Sequence, residues 1–220
     1  MFPDDIADYL KNNPSFFEQY ADLMAQIFVP HPHGGRTISL VERQMLTLRE
    51  KNRASESKLA ELIAFGEEND QISEKVHRLA VGLIAAETFQ AVIHLLNFHL
   101  RDDFSVPHVA LRLWHKPDEI SDLPEFAAVS EELQVFAETL TRPYCGSTAG
   151  FGTASWFGEA APHIRSQALI ALRNGGGTIG LVALGSEEAQ RFYADMGTLY
   201  LERIGEMVSA ALARVTKSAL

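Results

Sequence analysis

The chain has 220 residues, 46% of them hydrophobic, with 19 Lys and Arg against 29 Asp and Glu and a formal net charge of -10. That apolar share can bury a core, while an acidic chain with no segregated basic stripe disfavours direct nucleic-acid binding. A single cysteine, Cys145, excludes an internal disulfide and a Cys-rich zinc site.

The opening Met1-Phe2-Pro3-Asp4-Asp5 carries acid where a secretory signal needs base. The longest apolar stretch, Leu79 to Ala86, is too short to span a bilayer. The expectation is a cytoplasmic protein with no membrane partner.

Short helices fill the first thirty residues. Asp4-Asp5 precede Ile6, Ala7, Tyr9 and Leu10, and Asn12-Asn13-Pro14 breaks that run. Ser15-Phe16-Phe17-Glu18 has the capping-box pattern, with Phe16, Phe17, Tyr20, Leu23, Met24 and Ile27 continuing at helical spacing. Pro30-His31-Pro32-His33-Gly34-Gly35 ends the unit, because prolines forbid helix and paired glycines make a joint.

Ser39-Leu40-Val41-Glu42 is a second capping box, and no proline follows until Pro107. A heptad reading places Ile38, Met45, Asn52 and Leu59 at one core position and Val41, Leu48, Ser55 and Leu62 at the other. A polar Asn52 in such a seam fixes register at a cost in stability. The seam weakens at Gly66-Glu67-Glu68-Asn69-Asp70 and resumes through Val76, Ala80 and Leu83. An unbroken helix from Ser39 to about Ala86 is roughly 70 Å long at 1.5 Å per residue. No small domain buries both faces of such a rod, so a homodimer through Val41, Met45, Leu48, Asn52, Leu59 and Leu62 is expected. A surface helix packed on its own domain is the plainer alternative.

Beyond it the elements alternate. Glu87-Thr88 caps a helix through Leu100, Val106 to Trp114 reads as a strand, Lys116 to Glu125 as a loop, and Ser130 to Leu140 as a helix. Gln167 to Arg173 and Thr178 to Leu184 are apolar strands around Asn174-Gly175-Gly176-Gly177, a strong hairpin signal. Their near-continuous apolarity asks for cover on both sheet faces. A last helix runs from about Gly197 to Val215. The organisation expected is therefore short helices and a hinge over 1–36, a dimerisation arm over 37–86, and an α+β domain over 87–220.

Gly180-Leu181-Val182-Ala183-Leu184-Gly185-Ser186, then Arg191-Phe192 and a terminal amphipathic helix, resembles the closing half of GAF domains. The whole chain resembles an uncharacterised bacterial family known only as a domain of unknown function. That family joins a helical N-terminal arm to a GAF-like domain. The resemblance rests on Asn13-Pro14 with Phe16-Phe17, the Pro30 to Gly35 joint, Ser39-Leu40-Val41-Glu42-Arg43-Gln44, Glu68-Asn69-Asp70, Pro143-Tyr144-Cys145-Gly146 and Met196-Gly197-Thr198. It implies an antiparallel sheet flanked by helices on one face, with a small-molecule pocket on the other, and it implies no reaction.

The candidate sites divide sharply. Gly175 to Gly180 satisfies G-x-G-x-x-G, but it opens a strand where a dinucleotide fingerprint opens a helix, so it reads as a turn. His31 and His33 supply two imidazoles where structural zinc wants four ligands, and no metal is expected. Cys145 has neither base nor helix start beside it in sequence, which argues against a nucleophilic role unless the fold brings His163 or His108 to it. GAF-like sulfoxide reductases use several cysteines, so a lone one argues against redox exchange, and bilin attachment at Cys145 is expected less still. The cyclic-nucleotide signature of some GAF domains is absent, with Phe192 and Asp195 at best an echo.

The candidate ligand pocket comprises Arg112, Trp114, Tyr144, Cys145, Phe151, Trp156 and Ser166, with Phe157 as a further aromatic and Arg142 and Arg165 as further anchors. A core whose pocket has collapsed explains the same residues. The function expected is a non-catalytic sensory module binding an unknown small molecule and acting through an unknown protein partner. A ligand-free adaptor is the alternative, and a Cys145-dependent enzyme a distant one.

Overall fold

The computed structural model describes residues 2–30, 37–115 and 123–217. His31, His33 and the glycines of the expected joint lie outside the described residues, as do 116–122 of the expected loop. Two compact units are present, Met1–Glu68 and Asn69–Leu220.

In the first unit, α1 (Pro3–Asn12) begins with the Phe2 amide donating to Asp5 Oδ2 at 2.7 Å. The expected capping box at Ser15 is not formed. Pro14 occupies the cap position of α2 (Ser15–Gln19) without a side-chain bond, and Ser15 is already helical. The expected continuous helix to Ile27 also breaks, because Tyr20 leaves helical geometry at φ -119° and ψ 40° and separates α2 from α3 (Ala21–Gln26). A two-stranded antiparallel ladder follows, β1 (Phe28–Pro30) with β2 (Thr37–Ser39), in which Ile38 is buried. It was hidden in the sequence because Pro30 reads as a breaker; an edge strand tolerates it.

Ser39 then caps α4 (Leu40–Ala85), its Oγ accepting the Glu42 amide at 3.2 Å. The helix passes Gly66 without interruption. From Thr47 to Gln71 every residue is exposed, including Leu48, Leu59, Leu62, Ile63 and Phe65.

The second unit is an α+β body. Val76, Leu79 and Leu83, from the last turns of α4, enter its core together with Phe89, Val92 and Leu96 of α5 (Phe89–Phe98). Thr88 caps α5 by accepting the Ala91 amide. A π turn, His99–Asp103, closes it, and His99 Nδ1 lies 2.6 Å from Asp103 Oδ2, which also accepts from Arg78 of α4 through Oδ1 at 2.8 Å.

One four-stranded antiparallel sheet has the order β3 (His108–Leu113), β6 (Gly177–Ser186), β5 (Ser166–Asn174), β4 (Tyr144–Gly146). The β5–β6 hairpin turns on Gly175 and Gly176, at φ 62° and 97°; both central positions of this turn require the left-handed region, which glycine reaches without strain. The helix α6 (Glu131–Thr139) falls within its expected segment, and α7 (Leu199–Lys217) starts two residues later and runs two residues further than the expected Gly197 to Val215. Two 3₁₀ stretches, Pro124–Phe126 and Thr153–His163, and the strand β4 carry too few periodic residues to stand out in sequence.

Strand alternation gives the sheet two apolar faces. Leu111, Leu113, Cys145, Ala168, Ile170, Leu172, Val182 and Leu184 join one core with α4, α5 and α7. Leu169, Leu181 and Ala183 join a second with Leu133 and Ala137 of α6. The fold is thus an antiparallel sheet flanked by helices and preceded by a long helix, as expected. Its second face, expected to hold a pocket, carries α6 and the Thr153–His163 stretch. Among the described residues no helix is long and apolar enough to cross a membrane.

Candidate functional site

Five of the seven expected pocket residues share the α6 face. Arg112 on β3 and Trp114 just past its end, whose amide still donates to Ile179 O of β6 at 2.9 Å, stand two positions apart, the period that puts side chains on one side of a strand. The Arg112 guanidinium lies 5.0 Å from the Trp156 ring centroid, a cation–π contact. Tyr144 and Phe151 pack at 4.8 Å between centroids, and Phe151 meets Phe136 of α6 at 4.6 Å. The remaining two, Cys145 and Ser166, face the other way. Cys145 lies in the helix-side core, and Ser166 Oγ donates to Glu188 O at 2.6 Å. One residue of offset on a strand reverses the side chain, so Tyr144 and Cys145 cannot line the same pocket.

The α6 face also holds a polar pair that the sequence did not signal. Thr153 and Gln167 are fully buried, with Thr153 Oγ1 donating to Gln167 Oε1 at 2.6 Å and Gln167 Nε2 donating to Ser147 O at 3.3 Å. Gln167 sits in a run that otherwise reads as core, and only its polarity there hints at a partner. The bonds satisfy both groups and moor the 3₁₀ stretch to the sheet. Phe157 of that stretch lies against Gly185, where an added Cβ would meet the ring at 2.9 Å.

Two donors on this face are not so provided. The Trp114 indole N–H is buried with no hydrogen-bond partner among the described residues. Arg112, half-buried, donates among the described residues only to its neighbour's carbonyl, Leu111 O, at 2.8 Å. Burial pulls its guanidinium below the usual arginine range, and Glu125 opposes that shift. A buried donor without an acceptor costs about 1–3 kcal/mol, so an acceptor-bearing ligand between these groups would recover energy.

Cys145 is the reverse case. Burial alone pushes its thiol up to about 11, far from a thiolate at neutral pH. Arg142, before β4, and Arg165, just before β5, are exposed. On α4 the expected seam residues Val41, Met45, Leu48, Leu59 and Leu62 are exposed, and Asn52 Nδ2 donates to Glu56 Oε1 at 2.8 Å along its own helix. No group of three or more His, Cys, Asp or Glu is placed to hold a metal among the described residues.

The model of the family described as "Protein of unknown function, DUF484" matches residues 1–217. No curated protein matches the chain. Among solved structures it is similar to the NLH2 GAF domain of A. aeolicus in an inactive state, at 11% identity and a TM-score of 0.49, covering 66% of this chain and 97% of that one. It is also similar to a free methionine-R-sulfoxide reductase of Neisseria meningitidis in complex with its substrate, at 15% identity and a TM-score of 0.46, covering 67% and 91%.

Proposed function

The chain belongs to the DUF484 family, and from that premise we propose that it is a dimeric, cytoplasmic, non-catalytic regulatory module of GAF-like type. It binds a small molecule and acts through a protein partner, with no direct contact to nucleic acid or membrane. The observation that carries this reading is a division within α4. Its last turns, at Val76, Leu79 and Leu83, are core of the α+β unit, while Leu48, Leu59 and Leu62 of the same helix stand exposed. Exposed leucines at seam spacing are an energetic liability that a second helix removes. A helix rooted in one core and paired elsewhere can report on that core.

The ligand we assign to this module carries a carboxylate or another two-oxygen acceptor, because among the described residues the buried Trp114 indole N–H has no acceptor and Arg112 beside it donates only to Leu111 O. Against an enzyme stands the sole cysteine, buried with its thiol pushed up to about 11. The adaptor without ligand is supported by a different observation, the filling of the same face by Phe136, Tyr144 and Phe151 against each other.

Thermal shift against a panel of small carboxylates separates the two. A ligand at a hundred times its Kd adds about 2.7 kcal/mol to stability. The expected result is a rise in melting temperature for the wild type that Arg112→Gln abolishes. A panel with no hit, or a hit that Arg112→Gln binds equally, leaves the adaptor.

A further inference from the structure

The partner in that reading needs a place to dock, and the free edge of the sheet supplies one. The β4–β5 ladder ends at the Tyr144–Leu169 pair, because Pro143 precedes Tyr144 and has no amide to donate. β5 runs on to Asn174, so Ile170, Ala171 and Leu172 have a strand neighbour on the β6 side alone. Beyond them the Arg173 amide donates sideways to Ser209 Oγ of α7 at 3.0 Å, which closes that end of the edge.

Ile170 and Ala171 of this stretch form the floor of a cleft of about 480 Å³, walled by the Leu140–Pro143 segment on one side and α7 on the other. Four charged side chains line it, of which Arg173 is already committed, donating to the carbonyls of Ala137, Glu138 and Leu140. Arg142 stands on the first wall and Glu202 and Glu206, one helical turn apart, on the second. Among the described residues Arg142 and Glu206 have no hydrogen bond or ion pair, and Glu202 accepts only from Thr198 Oγ1. Opposite charges on facing walls that do not meet leave room for something to lie between them. The volume suits a few residues of extended chain, and the backbone floor offers what such a chain needs.

We propose that this cleft docks an extended segment of a partner protein as an added strand on β5, with a Lys or Arg side chain of the segment against Glu202 and Glu206. The proposal rests on the reading that the chain acts through a protein partner. The partner's backbone pairs with Ile170–Leu172, alternate side chains point to the two walls, and its basic residue meets carboxylates that no cation pairs with among the described residues. Arg142 on the opposite wall favours an acidic or C-terminal group on the other side of the segment. An all-acidic segment is rejected by the α7 wall, which makes the site selective for charge as well as shape.

The test uses the full chain, immobilised, and a positional-scanning library of N-acetylated heptapeptides. Enrichment of Lys and Arg at a fixed position is expected, and hydrogen exchange of the wild-type chain with the selected peptide should slow at Ile170–Leu172. Glu206 is exposed and has no partner among the described residues, so Glu206→Lys should leave the melting temperature unchanged while weakening that peptide by about tenfold, or 1.4 kcal/mol. A library without basic preference, protection elsewhere in the chain, or equal affinity in Glu206→Lys overturns the docking surface. Failure here is separable from failure of the module reading. A chain that dimerises and responds to a ligand but takes no peptide loses only this surface. A monomer that still binds the peptide at β5 loses the relay and keeps the surface.

Discussion

Replacing Leu59 and Leu62 together by lysine tests the proposed pairing of α4 at the point where it carries most energy. The two side chains are 58% and 66% exposed in the single chain. Complete burial of a leucine is worth about 1.5–3 kcal/mol, so covering the exposed part of each recovers about 1–2 kcal/mol. Four such side chains in a dimer amount to about 4–8 kcal/mol, which at about 1.4 kcal/mol per decade shifts Kd by roughly a thousandfold or more. Lysine is a good helix former and keeps the helix itself, so far-ultraviolet circular dichroism should not change. Sedimentation velocity across micromolar concentrations should show a wild-type dimer and a monomeric variant. A monomeric wild type would refute the reasoning outright, and a variant as dimeric as the wild type would move the interface off these residues.

Four further outcomes follow from the geometry. Asp103 is held below its usual range, first by the His99 hydrogen bond and then by Arg78. A carboxyl lowered in this way contributes stability above the unfolded carboxylate range and loses it as pH falls through its folded value. The wild-type melting temperature should therefore drop between about pH 5 and pH 3, and Asp103→Asn should flatten that drop while costing about 1–2 kcal/mol at pH 7. The buried Cys145 should react with an aromatic disulfide reagent orders of magnitude more slowly in the native chain than in denaturant, and equal rates would contradict its burial. Gly66 sits mid-helix with open space where a Cβ would project, so Gly66→Ala should stabilise α4 by about 0.5–1 kcal/mol in a denaturant melt. Arg173→Met removes donors to the carbonyls of Ala137, Glu138 and Leu140 at the end of α6 and should lower stability by about 1–3 kcal/mol in the same assay.

What could be read from the sequence follows from where the physics is local. The Ser39 and Thr88 caps, the glycine turn at Gly175-Gly176 and the apolar runs of β5 and β6 are set by neighbours a few residues away, and all are present. The Ser15 box was read wrongly because Pro14 can itself stand at the cap and starts the helix one residue early. β4 was missed because three residues carry no periodicity; its pairing with β5 is a tertiary fact. The pocket inventory failed in a more instructive way. Composition can collect aromatics, but only the strand register shows that Cys145 and Ser166 face away from Arg112 and Trp114. That the Trp114 indole N–H, Arg142 and Glu206 have no partner among the described residues is likewise invisible until their neighbours are placed.

The same alternation that divided the pocket inventory is what makes the proposed relay physically plain. Along β5 and β6 the residues facing α6, Leu169, Leu181 and Ala183, are covalent neighbours of Ala168, Ile170, Val182 and Leu184, which face the helices. A ligand that draws Arg112 and Trp114 toward itself strains β3 against β6, and any slide of those strands moves both faces at once because close-packed cores transmit displacement. On the helix side the affected neighbours include Val76, Leu79 and Leu83, and Arg214 of α7 grips the same helix end through the carbonyls of Leu83 and Ala86 at 2.9 and 2.6 Å. The end of α4 is thus fixed to the core by apolar packing and by charge-assisted bonds at its last carbonyls, where the helix dipole favours a cation. A two-state shift needs such a rigid element with different packing in each state, and the ligand moves the balance only by its difference in affinity between them. Changing Arg214 to leucine should therefore uncouple the two events: carboxylate binding would persist in a thermal shift assay, while its effect on dimer affinity would vanish. If binding and dimer affinity stay coupled in that variant, the anchor lies elsewhere on α4.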